Sequence, residues 1–170
     1  MTKTDNIPLK VDVLIVGGGI AGCSLAIALD EVGFAVAIVD RVDPSMQTGN
    51  TFDGRASAIA GASQKMLGKI GFWPLLKQQF APILDIRVSD GESRLFLHYD
   101  HEEINEGPLG FMVENRHLRQ AAFSRLKNTA NVTYIAPVIV NSIIRTSSSV
   151  EAILSDGRKI LAEIIVGADG

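Results

Sequence analysis

The run Val11 to Val16 (VDVLIV) is apolar at nearly every position. A strand with one wet face alternates, so an unbroken run predicts a strand buried on both sides, as in a parallel sheet. The run stops at Gly17, Gly18 and Gly19. From Ile20 to Glu31 the residues Ala21, Leu25, Ala28 and Leu29 recur at helical spacing, and Gly33 comes next, where a helix end favours a residue free of Cβ strain. Ala35 to Asp40 (AVAIVD) is a second apolar run, close enough behind the helix to lie parallel beside the first.

Arg41 to Gly54 is polar and carries Pro44, Gly49 and Gly54, which predicts an excursion loop. A helix is expected from about Ala56 to Ile70. Pro74 and Pro82 bracket a short helical turn, and Ile83 to Ser89 and Arg94 to Tyr99 then read as strands joined at Asp90-Gly91. Gly110 to Glu114 would complete a small antiparallel sheet with them. Arg116 to Lys127 is a predicted helix with Leu118, Ala122 and Leu126 on one stripe, and Val132 to Ile135 is the strand behind it. Val138 to Arg145, Val150 to Leu154 and Lys159 to Leu161 form a meander that turns at Asp156-Gly157; a last strand, Glu163 to Val166, runs into Gly167-Ala168-Asp169-Gly170. The expected fold class is α/β, a Rossmann-like parallel sheet with a β-meander and part of an inserted antiparallel sheet. Residues 1–72 and 114–170 form its two segments, and residues 73–113 are the insertion.

Composition narrows the function classes. With 170 residues and 46% hydrophobic content the chain buries one sizeable core but is too short for two full domains. Sixteen Lys and Arg against nineteen Asp and Glu, without a basic run, leave nothing to neutralise a nucleic-acid backbone. The single cysteine, Cys23, makes no internal disulfide, which fits a reducing, cytoplasmic setting. Met1 to Lys10 lacks the apolar core of a signal peptide, and no run approaches the ~20 apolar residues of a membrane span. Peripheral contact with a bilayer is compatible with the apolar composition.

Gly17, Gly19 and Gly22 spell G-x-G-x-x-G, in which the glycines supply a tight turn, close backbone approach to a pyrophosphate, and close helix packing. The helix that begins here aims free N–H groups and the positive end of its dipole at phosphates. Asp40, eighteen residues beyond Gly22 at the tip of the second strand, is placed to accept from ribose hydroxyls, and its charge argues against a 2′-phosphate there. Cys23, one residue into the helix, reads as a small buried filler rather than a reactive thiol. The glycines alone do not separate NAD from FAD, and an NAD-dependent dehydrogenase and a non-catalytic FAD-binding module stay as alternatives.

The chain beyond the second strand is more specific. V-D-V-L-I-V-G-G-G-I-A-G with Asp40-Arg41, the segment Asp53-Gly54-Arg55-Ala56-Ser57-Ala58-Ile59-Ala60, the segment Val113-Glu114-Asn115-Arg116-His117-Leu118-Arg119-Gln120-Ala121, and the terminal Gly167-Ala168-Asp169-Gly170 resemble the motifs of the FAD-dependent aromatic hydroxylases of the para-hydroxybenzoate hydroxylase fold. Within these the likeness is to the ubiquinone-biosynthesis hydroxylases, along the whole chain. The resemblance implies that Gly17, Gly19, Ile20, Ala21 and Gly22 hold the FAD pyrophosphate, that Asp40 takes the adenosine ribose and that Arg41 lies against the adenine. It places Arg55 near the pyrophosphate or flavin, Asn115 and Gln120 on the cofactor, and Asp169 on the pyrophosphate through backbone and water. Arg55 has a plainer alternative as a surface partner of Asp53, Asn115 as the cap of its helix, and Arg41 and Arg116 as solvated cations.

The resemblance further implies a monooxygenase that uses NAD(P)H and O2 to hydroxylate a polyprenylated phenol, with peripheral association at the inner membrane face or with a biosynthetic complex. No side chain is nominated as catalytic acid or base. Family members continue past the Asp-Gly motif, so this chain is expected to be an N-terminal fragment, inactive alone. A metal is not expected: His98 and His101, near Asp100, Glu102 and Glu103, lie three apart on a predicted strand and face opposite sides.

Overall fold

The first apolar run folds as strand β1 (Leu9–Val16), the glycine turn opens helix α1 (Ile20–Glu31), and the second run is strand β2 (Val36–Val39). A single helical turn, α2 (Pro44–Gln47), interrupts the expected loop, capped by Asp43, which accepts from the Ser45 N–H at 2.8 Å. Next come β3 (Ala56–Ala60), α3 (Gly61–Lys69), a 3-10 turn at Trp73–Leu76, β4 (Ala81–Ile83), β5 (Asp85–Ser89), β6 (Phe96–Asp100), the short α4 (His101–Ile104) and β7 (Gly110–Glu114). The remaining elements are α5 (Asn115–Leu126), β8 (Val132–Ile135), β9 (Val140–Arg145), β10 (Val150–Leu154) and β11 (Lys159–Gly167).

This computed structural model describes residues 7–49, 53–91, 93–104 and 106–170. Residues 1–6, on which the reading of the amino terminus partly rests, and residues 50–52 of the polar excursion lie outside them. Two units group by proximity: Met1–Gly49 with Ala122–Gly170, and Asn50–Ala121. Their boundaries fall at other residues than the three segments drawn from the sequence, because β3 is paired to β7 and therefore groups with the insertion.

The first unit is a six-stranded sheet in the order β8-β2-β1-β11-β10-β9. Its pairs β8–β2, β2–β1 and β1–β11 are parallel, and β11–β10 and β10–β9 are antiparallel, so the Rossmann-like layer with a meander is present. The unbroken apolar runs are explained by two separate cores. Val13, Ile15, Val36 and Ile38 pack with Ala26 of α1 on one face. Leu14, Ala37 and Val39 pack on the other with Ile135, Ala152, Leu154, Ile160 and Ala162. Asp30 ties the end of α1 to the entry of β8 by accepting from the N–H groups of Ala130 and Asn131, the latter at 2.8 Å.

The second unit carries a three-stranded sheet, β3-β7-β4, and a separate two-stranded ribbon, β5-β6. Trp73, Phe80 and Phe111 form an aromatic cluster with ring centroids 4.9–5.2 Å apart, and Leu67, Phe72, Leu76, Val113 and Leu118 of this unit are buried.

Four expectations need correction. Ala56–Ala60 is strand rather than the first turn of a helix, because its backbone pairs with Gly110–Glu114. That same pairing takes β7 away from the expected sheet, so β5 and β6 stand as a two-stranded ribbon. The ribbon pairs from Ser89 to Phe96, which makes its connection longer than a turn centred on Asp90-Gly91. Lys159–Leu161 and Glu163–Val166 are one continuous strand, β11, paired along its length with β1 and over its first half with β10. Leu14 is fully buried, so Leu14→Ala is expected to lower stability by about 2–5 kcal/mol. Leu95→Ala, at a residue 83% exposed, should fall within about 0.5 kcal/mol of the parent; urea unfolding of the two variants checks the contrast.

Candidate functional site

The parallel pairing of β1 with β11 continues to Val16 opposite Gly167, and beyond it the Ala168 N–H donates to the Val16 carbonyl at 2.7 Å. Residue 17 is therefore squeezed against the other chain segment. Its φ is +110°, and a Cβ built there would strike the Ala168 carbonyl group and come within 2.6 Å of the Asp169 N. A Cβ at Gly22 would strike the Gly17 carbonyl, so the first turn of α1 is folded tightly back on the end of β1.

At Gly19 the situation reverses: a Cβ there meets no heavy atom within 4 Å. Gly19 is the residue before α1, no side chain caps the helix, and no acidic residue sits in its first turn. The N–H groups at the start of α1, including those of Ile20 and Ala21, thus face open space with the positive end of the dipole behind them. A cup of backbone N–H groups with room for close approach suits a diphosphate.

Asp40 lies just past the end of β2, beside this cup. Its Oδ2 accepts from the Gly18 N–H at 2.5 Å and its Oδ1 from the Val42 N–H at 2.7 Å. An ionised carboxylate has about four lone-pair sites, so two remain for hydroxyl donors of a sugar. The first unit therefore gathers Gly17, Gly19, Ile20, Ala21, Gly22, Asp40 and the backbone of Asp169 at the carboxyl ends of β1, β2 and β11. Arg41 is exposed next to Asp40, and the Asp169 side chain is exposed as well. Cys23 is buried, and its thiol donates to the Gly18 carbonyl at 3.1 Å. Burial first, then the nearby Asp40 charge, push its pKa up to about 12, which fits a filler and not a nucleophile.

The second unit brings two of the sequence motifs together. The Asn115 N–H donates to the Arg55 carbonyl at 3.0 Å, and the Ser57 hydroxyl donates to Asn115 Oδ1 at 2.6 Å. Asn115 is the first residue of α5, and its side-chain oxygen is turned to β3. Asp53 accepts from Arg119 at 2.7 Å and pairs with Arg55 at 3.3 Å, so the surface pairing considered for Arg55 is present. The Arg119 hydrogen bond is the main cause that holds the Asp53 carboxyl below its ordinary value. Arg116 is not simply solvated: its Nε donates to Glu114 at 2.6 Å. Gln120 is half-buried on α5. Sequence reasoning did not single out Ser57 or Arg119, because both pairings join residues about sixty positions apart. An open cavity of about 380 Å³ in this unit is lined by Gly61, Gln64, Lys65, Glu106, Leu109 and Phe111 among others, and none of these candidate residues lines it.

On the β5–β6 ribbon, Asp85, His98 and Asp100 bring possible ligand atoms within 4.8 Å of one another. Cross-strand register makes this cluster, with Asp85 opposite Asp100, and His98 is engaged by Asp85 at 2.7 Å. His101 opens α4, with its Nδ1 3.3 Å from Asp100 Oδ1, and is not one of the three.

Comparison with known proteins gives a consistent neighbourhood. A family model described as an FAD binding domain matches residues 10–170. The ubiquinone hydroxylase UbiL of Rhodospirillum rubrum is 50% identical over 159 residues, covering 94% of this chain and 37% of the relative. The 3-demethoxyubiquinol 3-hydroxylase of Escherichia coli (strain K12) is 32% identical over 161 residues, covering 94% of this chain and 41% of the relative. Among solved structures, p-nitrophenol 4-monooxygenase PnpA from Pseudomonas putida DLL-E4 shares the fold, with a TM-score of 0.76 and 19% identity over 95% of this chain and 42% of that one. This chain spans about two fifths of the length of these relatives. The family match takes in the glycine cup, Asp40, both motifs of the second unit and the terminal Asp-Gly, and the chain belongs to the FAD-binding domain family, whose cofactor is FAD.

Proposed function

We propose that this chain is the FAD-holding part of a flavin-dependent hydroxylase that acts on a polyprenylated phenol in ubiquinone synthesis, with NAD(P)H as electron donor and O2 as co-substrate. The observation that carries it is the cup at Gly17–Gly22, uncapped and open at Gly19, with the Asp40 carboxylate beside it. Geometry of this kind also suits NAD, and the FAD family match over residues 10–170 favours the flavin. The likeness to a ubiquinone hydroxylase and to a 3-demethoxyubiquinol 3-hydroxylase supports the substrate class.

In this reading the N–H groups around Gly19, Ile20, Ala21 and Gly22 hold the diphosphate, with the dipole of α1 opposing its charge. Gly17 supplies the turn that lets them converge. Asp40 accepts from the ribose hydroxyls, Arg41 lies against the adenine, and the Asp169 backbone reaches the diphosphate directly or through water. The motifs assign Arg55, Asn115 and Gln120 of the second unit to the cofactor too. Asp53 then tempers the Arg55 charge, and Ser57 fixes how Asn115 presents its amide. Bound FAD supplies the redox chemistry between the nicotinamide donor and O2, while the protein binds, orients and excludes water.

A polyprenylated substrate partitions into lipid, so we place the protein in the cytoplasm, associated peripherally with the inner membrane face or a biosynthetic complex. Among the described residues no helix is long and apolar enough to cross a membrane.

Purified protein is expected to carry a flavin visible spectrum that survives gel filtration; a colourless preparation that binds no added FAD contradicts the proposal. Gly19→Val fills open space, so its melting temperature should stay near the parent's while FAD affinity falls at least about tenfold; parallel melting and flavin titrations check this. The chain joined to the remainder of the fold present in its relatives should consume NAD(P)H and O2 in step with a hydroxylated polyprenyl phenol, measured by oxygen electrode and mass spectrometry.

A further inference from the structure

The fingerprint requires glycine at positions 17, 19 and 22 and leaves position 18 open. Here position 18 is also glycine, and the fold supplies a reason. A Cβ built at Gly18 would fall on the Tyr134 hydroxyl, with the ring carbons Cζ and Cε2 at 2.6 and 2.8 Å. Tyr134 rises from β8, and its ring rests edge-on against Phe123 with centroids 5.5 Å apart. The ring tip occupies the space a side chain at residue 18 would need.

The polar groups of Gly18 are held on every side. Its N–H donates to Asp40 Oδ2 at 2.5 Å. Its carbonyl accepts from the Cys23 thiol at 3.1 Å and from the Tyr134 hydroxyl at 3.4 Å. A carbonyl oxygen has two lone pairs and can take both donors. Gly18 C=O and Gly19 N–H belong to one planar, trans peptide unit, so they point in opposite directions. Pinning the carbonyl inward turns the Gly19 N–H outward, toward the open side of the cup. Were this peptide to flip, a carbonyl oxygen would face the bound anion in place of an N–H.

We propose that Tyr134, together with the Cys23 thiol, is a positioning residue of the FAD site: the two donors lock the Gly18–Gly19 peptide in the orientation that presents its N–H to the diphosphate, and Tyr134 is what demands glycine at position 18. The inference rests on the FAD reading of the cup. Both donors stay protonated at neutral pH, since burial raises the thiol to about 12 and raises the phenol well above its ordinary value. Neither side chain needs to touch the cofactor, which explains why no motif flags them.

The test compares Tyr134→Phe, Cys23→Ala, their double variant and Cys23→Ser by flavin-fluorescence titration, by competition with ADP and with adenosine, and by melting of the apoprotein. Each loss of a donor should weaken FAD about threefold to tenfold, as expected for one neutral hydrogen bond, and the double variant more than either. ADP affinity should fall with FAD affinity while adenosine affinity holds, because only the diphosphate meets the peptide. Cys23→Ser keeps a donor and should bind close to the parent. Gly18→Ala should lower the melting temperature beside Tyr134, and adding Tyr134→Val should restore much of it. A double variant that binds FAD and ADP as the parent does overturns the proposal, as does an equal loss for ADP and adenosine, which would mean general loosening. A parent protein that binds no FAD overturns the reading of the cup itself, and this proposal with it.

Discussion

The carboxyl ends of β1 and β11 approach so closely that residue 17 has no room for a side chain, and the rest of the site depends on that approach. The Ala168 N–H on the Val16 carbonyl closes the pair at 2.7 Å, just where the chain must leave β1 and start α1. Because the strands are parallel, the glycine loop leaving β1 and the Gly167–Gly170 segment at the end of β11 share one edge of the sheet. In open α/β sheets that edge, beyond the carboxyl ends of the strands, is where ligands bind. Helix α1 can lie tight against the strand only because Gly22 leaves the Gly17 carbonyl uncovered.

Asp40 shows how one side chain serves fold and site together. Its two oxygens bind the Gly18 and Val42 N–H groups, which joins the loop after β1 to the chain leaving β2. A carboxylate so held is oriented before any sugar arrives, so little ordering remains to offset the hydrogen bonds a ribose would make. In the second unit Asp53 has a comparable double engagement with Arg119 and Arg55. There the partners are cations, and the effect is to fix the loop that leads into β3.

Much of this was legible in the residues. The runs VDVLIV and AVAIVD, the glycines and the helical spacing after them are local signals, and β1, α1 and β2 came out nearly as read. Asp40 was legible for the same reason, since its place at a strand tip is set by where the strand ends. Ala56–Ala60 was not: a run rich in alanine favours helix locally, and only pairing with Gly110–Glu114, fifty or more residues away, makes it a strand. The split of the expected insertion sheet stems from that one misreading. Gly18 contained a quieter signal, since a glycine beyond the three that the motif needs points to a neighbour occupying its Cβ space. Identifying that neighbour as Tyr134 required the packing of β8 beside the loop. The Ser57–Asn115 and Asp53–Arg119 contacts were invisible for the same reason: long-range register sets them.

A crystal structure of the protein with FAD bound tests the central claim most directly. The account predicts diphosphate oxygens about 3 Å from the backbone N–H groups at the start of α1, with the adenosine ribose hydroxyls on Asp40. A diphosphate bound elsewhere, or a ribose that leaves Asp40 untouched, would contradict it.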